Sequence, residues 1–132
     1  MYTMMQVCRE LDMTYQTLKY YCNEGLVPHV KRDSNNRRIF DERDVKWIKD
    51  LTCLKRCGMS IQEMKEYLAL CLQGESTVPA RKEMLAKKQE ALRVSIRELE
   101  DSVAYIDWKQ TFYDEVLSGK RPYVSNLIRD DK

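Results

Sequence analysis

Five cysteines, at positions 8, 22, 53, 57 and 71, and a single histidine, His29, are the side chains of this 132-residue sequence best suited to nucleophilic or metal chemistry. Cys53 and Cys57 make one close pair. No second pair or Cys/His cluster joins them, so neither a structural zinc site nor any other cofactor is expected. One histidine leaves no Ser/His or Cys/His set of the kind that activates a nucleophile, and an enzyme is not expected. Cys8, Cys22 and Cys71 fall in amphipathic stretches and read as small hydrophobes. His29 reads as an exposed strand residue. An odd cysteine count without an export signal points to a reducing cytoplasm.

A second chemistry is concentrated at residues 31–38, where Lys31, Arg32, Arg37 and Arg38 face only Asp33. Ammonium and guanidinium groups clustered on a turn can bind phosphates. The total charge of +2 conceals this cluster. Residues 1–60 hold 11 Lys and Arg against 8 Asp and Glu, a net of +3, whereas residues 61–132 hold 12 against 13, a net of −1.

The elements that would carry these groups follow from periodicity. Only 4 Gly and 3 Pro, with 43% hydrophobic residues and short apolar runs, indicate a mainly α chain without a membrane span. Met4, Val7 and Leu11 mark a first short helix over 4–11. Met13 makes a tight turn and Thr14 can cap a second helix over 15–24, with Leu18, Tyr21 and Cys22 on one face. That pair outlines a helix-turn-helix. Its outer face offers Tyr15, Gln16, Lys19 and Tyr20, of which Gln and Lys suit base edges and Tyr suits phosphates. Tyr21 is expected in the core. A short β-hairpin over 29–40 would present the basic cluster as a wing. Helices follow over 42–57 and 60–72, the latter capped by Ser60, then a polar linker from Gly74 to Pro79.

Residues 79–117 form one uninterrupted helical pattern, about 58 Å long at roughly 1.5 Å per residue. A compact domain of this size has a radius of gyration of only about 14 Å, so the helix must project. Leu85, Leu92, Leu99, Ile106 and Tyr113 recur every seven residues. Gln89, Ile96, Val103, Gln110 and Leu117 follow each by four, which is a coiled-coil pattern. The simplest partner for such a stripe is a second copy of the chain.

These residues resemble the MerR family of bacterial transcription regulators. Thr17-Leu18-Lys19-Tyr20-Tyr21 with Glu24-Gly25-Leu26-Val27-Pro28 is similar to that family's recognition-helix signature. Arg38-Ile39-Phe40, Phe40-Asp41-Glu42-Arg43-Asp44-Val45, and Gly58-Met59-Ser60-Ile61 with Glu63-Met64 resemble its wing end and the starts of its next two helices. The resemblance covers residues 3–118. Lys19 stands where the family usually has Arg, Asn36 replaces a wing Gly, and Cys22 replaces an acidic residue.

The resemblance implies a winged helix-turn-helix head over 1–73, a linker and dimerisation helix over 74–118 forming an antiparallel coiled coil, and a tail over 119–132. It implies a homodimer that grips a pseudo-palindrome in an over-long promoter spacer and deforms the DNA so that RNA polymerase can use it. Thr14, Tyr15, Gln16, Lys19, Tyr20, Lys31, Arg32, Arg37 and Arg38 are the expected DNA contacts. Leu85, Leu92, Ile96, Leu99, Val103, Ile106 and Tyr113 are the expected dimer contacts. The family's metal sensors carry cysteines at and after the dimerisation helix, and this chain has none beyond Cys71. Its drug sensors carry a large ligand domain, for which the roughly 14 residues after the helix are too few.

Two readings of the effector stay open. Cys53 falls opposite the apolar side of its helix (Trp47, Ile48, Leu51 and Leu54), beside Lys46, Lys49 and Arg56, and nearby cations favour a reactive thiolate. The segment from Trp47 to Met59, with Gly74-Glu75-Ser76-Thr77 and Ala80-Arg81, resembles a subgroup that answers reactive aldehydes or thiol stress through one such cysteine. The alternative is a regulator with a non-thiol effector. A coiled-coil interaction protein without DNA binding would explain the long helix but not the basic wing.

Overall fold

Capping chemistry sets where most of the helices begin. In the computed structural model, which describes residues 1–128, strand β1 (Tyr2–Thr3) runs directly into helix α1 (Met4–Leu11). The Thr3 hydroxyl accepts the Gln6 N–H at 3.2 Å, and the Gln6 side chain accepts the Thr3 N–H at 2.8 Å. Reciprocal boxes of the same kind join Asp41 to Asp44 at the start of α3 (Glu42–Arg56) and Ser60 to Glu63 at the start of α4 (Ile61–Gln73). Each satisfies N–H groups that a helix start otherwise leaves unpaired. Helix α2 (Tyr15–Asn23) starts on Thr14, whose hydroxyl accepts the Thr17 N–H at 3.1 Å.

The hairpin is present as β2 (Lys31–Arg32) and β3 (Arg38–Phe40). Its sheet has a third member that alternation does not reveal. β1 pairs antiparallel with the other edge of β3, Tyr2 against Phe40, giving the order β1-β3-β2. Two residues are too few to show a period of two. His29 stands in a turn before β2 rather than on a strand, though it is exposed as expected. The helices match their expected spans to within one residue.

The core of the first compact unit, Met1–Glu90, draws on α1 to α4 and on β3. Val7, Leu18, Leu26, Phe40, Ile48, Leu51, Met59 and Met64 are essentially inaccessible. Met84, in the first turns of helix α5 (Val78–Leu117), packs against this cluster. Lys88 meets Glu63 at 3.1 Å, and the Ser60 N–H first, then Lys88, hold the Glu63 carboxyl below the usual carboxylate range.

The expected polar linker is corrected in part. Glu75–Thr77 forms a 3-10 turn, and Val78 already belongs to α5. The buried Thr77 hydroxyl lies 2.6 Å from the Leu70 carbonyl and 2.8 Å from that of Gly74. It also accepts from Arg81 Nε at 3.0 Å, while Arg81 Nη2 donates to the Gly74 carbonyl at 2.6 Å. These bonds close the α4–α5 corner. They give a structural reason for the Gly74, Thr77 and Arg81 pattern.

The second unit begins at Ala91 and carries the rest of α5. No residue of α5 is buried. Its rings at Tyr105, Trp108 and Phe112 follow one another at 6.3 and 6.1 Å, and Arg121 lies over Phe112 at 5.3 Å. Among the described residues, no helix is long and apolar enough to cross a membrane.

Candidate nucleic-acid interface

Helix α2 turns Leu18 and Tyr21 into the core and leaves Tyr15, Gln16, Lys19 and Tyr20 exposed, with Thr14 exposed at its cap. Tyr20 rests its ring 6.5 Å from that of Tyr21, so the outer tyrosine is braced by the inner one. Two contacts fix the far end of α2. Lys65 of α4 reaches Glu24 at 3.0 Å, and the Trp47 indole of α3 donates to the Leu26 carbonyl at 2.7 Å.

The wing is shaped by Asp33. One carboxylate oxygen of Asp33 accepts the N–H groups of Asn35 and Arg37, each at 2.9 Å. The Asn36 N–H returns to the Asp33 carbonyl at 2.9 Å, with Asn36 at φ 60°. Asparagine tolerates this left-handed backbone better than most residues, which accounts for its place in a tight turn.

The four cations of the wing are held differently. Arg37 is exposed. Arg32 donates to the Asn36 carbonyl at 3.0 Å. Lys31 lies 3.5 Å from Asp41. Arg38 is half-buried and donates through Nη2 to Asn23 Oδ1 at 2.7 Å, tying β3 to the last residue of α2. Sequence reasoning does not find Asn23, since a polar residue at a helix end gives no signal of a partner 15 positions away.

One concave surface brings the two halves together. A crevice of about 470 Å³ is lined by Tyr15 of α2, by Thr3, Met4 and Met5, and by Arg32, Asp33, Asn36, Arg37 and Arg38 of the wing. A second crevice of about 560 Å³ on α2 is lined by Thr14, Gln16, Thr17, Tyr20, Tyr21, Lys55 and Ile61. Of the groups expected from sequence, Tyr15, Arg32, Arg37 and Arg38 border the first crevice and Thr14, Gln16 and Tyr20 the second, whereas Lys19 and Lys31 line neither.

The cysteines separate by burial. All five are free thiols, and only Cys53 is exposed. Burial pushes the Cys8 thiol up, and it does the same to Cys22, against the opposing pull of Arg38 and Arg32. Cys53 shares the exposed side of α3 with Lys46, Lys49 and Arg56, and also with Asp50, one turn earlier, which the pattern of cations alone does not feature. Among the described residues no group of three or more His, Cys, Asp or Glu is placed to hold a metal ion.

Comparison with known proteins decides the family. The family model described as MerR HTH family regulatory protein matches residues 2–71, more than half of the chain. The chain belongs to the MerR family. A second MerR model, described as MerR, DNA binding, matches residues 45–108. The HTH-type transcriptional regulator AdhR of Bacillus subtilis (strain 168) is 41% identical over 87 residues, 66% of this chain. The chain spans only 62% of that relative's length. Among solved structures, HiNmlR, a MerR family regulator lacking the sensor domain and bound to promoter DNA, aligns with a TM-score of 0.73 at 28% identity, over 89% of this chain and 93% of that one. A MerR family regulator of Listeria monocytogenes aligns with a TM-score of 0.79 at 29% identity over 91% of each chain. The matched models are those of a family of DNA-binding regulators.

Proposed function

We propose that this regulator acts as a homodimer on a pseudo-palindromic promoter spacer in the bacterial cytoplasm, and deforms that DNA in response to an effector. The observation that carries the DNA half of this reading is the crevice shared by the start of α2 and the wing. On this reading Tyr15, Gln16, Lys19 and Tyr20, with Thr14, enter the major groove, while Lys31, Arg32, Arg37 and Arg38 take the flanking phosphates. RNA polymerase is affected through the promoter rather than by direct contact.

The homodimer rests on the uncovered stripe of α5. Leu85, Leu92, Ile96, Leu99, Val103, Ile106 and Tyr113 are all exposed, from 38% at Leu85 to 67% at Leu99. An apolar row of that length in water calls for a partner helix. On this reading residues 1–73 are the DNA-binding head, 74–118 the linker and dimerisation helix, and 119–132 a tail.

For the effector, the exposure of Cys53 alone among five cysteines favours a thiol sensor for aldehydes or oxidants. An aldehyde would be taken up by addition of the sulfur to the carbonyl carbon, with the proton moving to oxygen. The test is transcription from the protein's own upstream promoter, with and without an aldehyde or thiol oxidant. Cys53→Ser should keep dimerisation and DNA binding and lose induction. Normal induction in that variant would eliminate the thiol reading and leave a regulator with a non-thiol effector. No retardation of the upstream DNA at low salt would eliminate the DNA-binding assignment itself.

A further inference from the structure

The crevice between α2 and the wing holds one side chain that neither the core nor the cations explain. Met5 sits in the first turn of α1, off the face through which Met4 and Val7 enter the core. It is 54% exposed, and it belongs neither to the buried cluster nor to the half-buried residues packed against that cluster. A single exposed apolar residue is ordinary by itself. The surroundings of Met5 are not: it shares the crevice with Tyr15 at the start of α2 and with Arg32, Arg37 and Arg38 of the wing.

Several polar groups beside it are committed within the protein. The Thr3 N–H and hydroxyl are taken by Gln6. One Asp33 carboxylate oxygen is taken by two backbone N–H groups, and the Asn36 carbonyl by Arg32. The crevice therefore presents chiefly guanidinium groups and the Tyr15 phenol, with one exposed and wholly apolar group, Met5, among them. A nucleic-acid strand has the matching pattern, since it alternates a charged phosphate with the apolar face of a sugar. A strand is also what has to pass there. With the start of α2 in the major groove and the wing on the flanking phosphates, the backbone that bounds the groove runs between them, and the first helix of such a pair crosses that backbone.

Resting on the DNA-binding reading above, we propose that Met5 packs its thioether on a deoxyribose of this strand, between the phosphates held by the wing and the bases met by α2. The contact carries no charge and no hydrogen bond, so it adds affinity without releasing a counterion. Every nucleotide offers the same sugar, so it adds that affinity at any sequence and acts by setting how α2 is seated in the groove. A homodimer makes the contact twice. Arg37 and Met5 then do complementary work on one strand, the first on its charge and the second on its apolar face.

The test compares the full chain with Met5→Ala and Met5→Leu on the upstream promoter duplex and on an unrelated duplex, by fluorescence anisotropy across a salt series, with circular dichroism to check the fold. Met5→Ala should weaken binding about five- to tenfold on both duplexes, through lost apolar burial in each half of the dimer. Met5→Leu, of similar volume, should stay within about twofold of wild type. The slope of log K against log salt should not change in either variant. In a chain with isotope-labelled methionine methyl groups, the resonance that Met5→Leu removes should shift when either duplex is added. A loss confined to the promoter duplex would overturn the sugar contact in favour of a base methyl group. A shallower salt slope in Met5→Ala would overturn it in favour of a role in holding the wing cations. Equal binding by Met5→Ala, or an unmoved Met5 resonance, would take Met5 out of the interface while leaving DNA binding standing. A wild-type chain that binds neither duplex at low salt would remove the DNA-binding reading itself.

Discussion

Arg37 and Arg38 are neighbours in sequence, yet the structure gives them different tasks. Arg37 is exposed on a turn whose backbone Asp33 holds in place. Arg38 is spent partly on Asn23 and so fixes the wing against α2. If Arg37 neutralises one phosphate in each half of a dimer, Arg37→Ala should make the slope of log K against log salt shallower by roughly 2, at about 0.9 per phosphate. The loss should be similar on specific and unrelated duplexes, as fluorescence anisotropy across a salt series would show. A loss confined to the specific site would mean that Arg37 reads bases. Arg38→Ala should cost more than Arg37→Ala, because the wing anchor goes with the charge, and equal losses would show that the bond to Asn23 is dispensable. The cations themselves are legible in the sequence, since they cluster on a turn. Their division of labour is not, because it depends on a hydrogen bond between residues 15 positions apart.

At the scale of the element, the α4–α5 corner shows where composition misleads. Gly74 through Pro79 has the small, polar make-up of a linker, and Gly74 does take a left-handed φ of 94°. Yet the segment turns in one 3-10 step and enters α5 without a loop, because Thr77 and Arg81 satisfy the carbonyls that α4 leaves open at its end. The long helix, by contrast, is legible to within one residue, since forty residues of unbroken helical pattern leave no competing structure. The capped starts at Thr14 and Ser60 are equally legible, because capping is local chemistry. Thr77→Val keeps the shape of the side chain and removes its hydroxyl. The Leu70 carbonyl and Arg81 Nε then lose a partner at a buried site, a cost of about 1–3 kcal/mol. Urea melts should show that loss in the midpoint at an unchanged slope, and a midpoint equal to wild type would mean that water replaces the hydroxyl without penalty.

At the scale of the whole molecule, the question is which part of the chain carries its own stability. Among the described residues every buried apolar core residue lies between Met4 and Leu68, and the helical residues that support them end with Met84 and Lys88, inside the unit Met1–Glu90. Beyond Ala91 the chain offers an exposed apolar stripe and no buried residue of α5, so on the proposed dimer its order draws on pairing rather than on a core of its own. A fragment ending at Glu90 should therefore melt cooperatively as a monomer, with a midpoint independent of concentration. Its DNA affinity should nonetheless fall by about 10²- to 10⁴-fold, since two linked heads bind the second half-site at high effective concentration and a lone head does not. Its salt slope should drop to roughly half, because half the phosphate contacts remain. A fragment that fails to fold would show that the head needs the rest of α5. A folded fragment that binds as tightly as the full chain would show that the long helix contributes nothing to DNA recognition, and its exposed stripe would then have to serve some partner other than a second head.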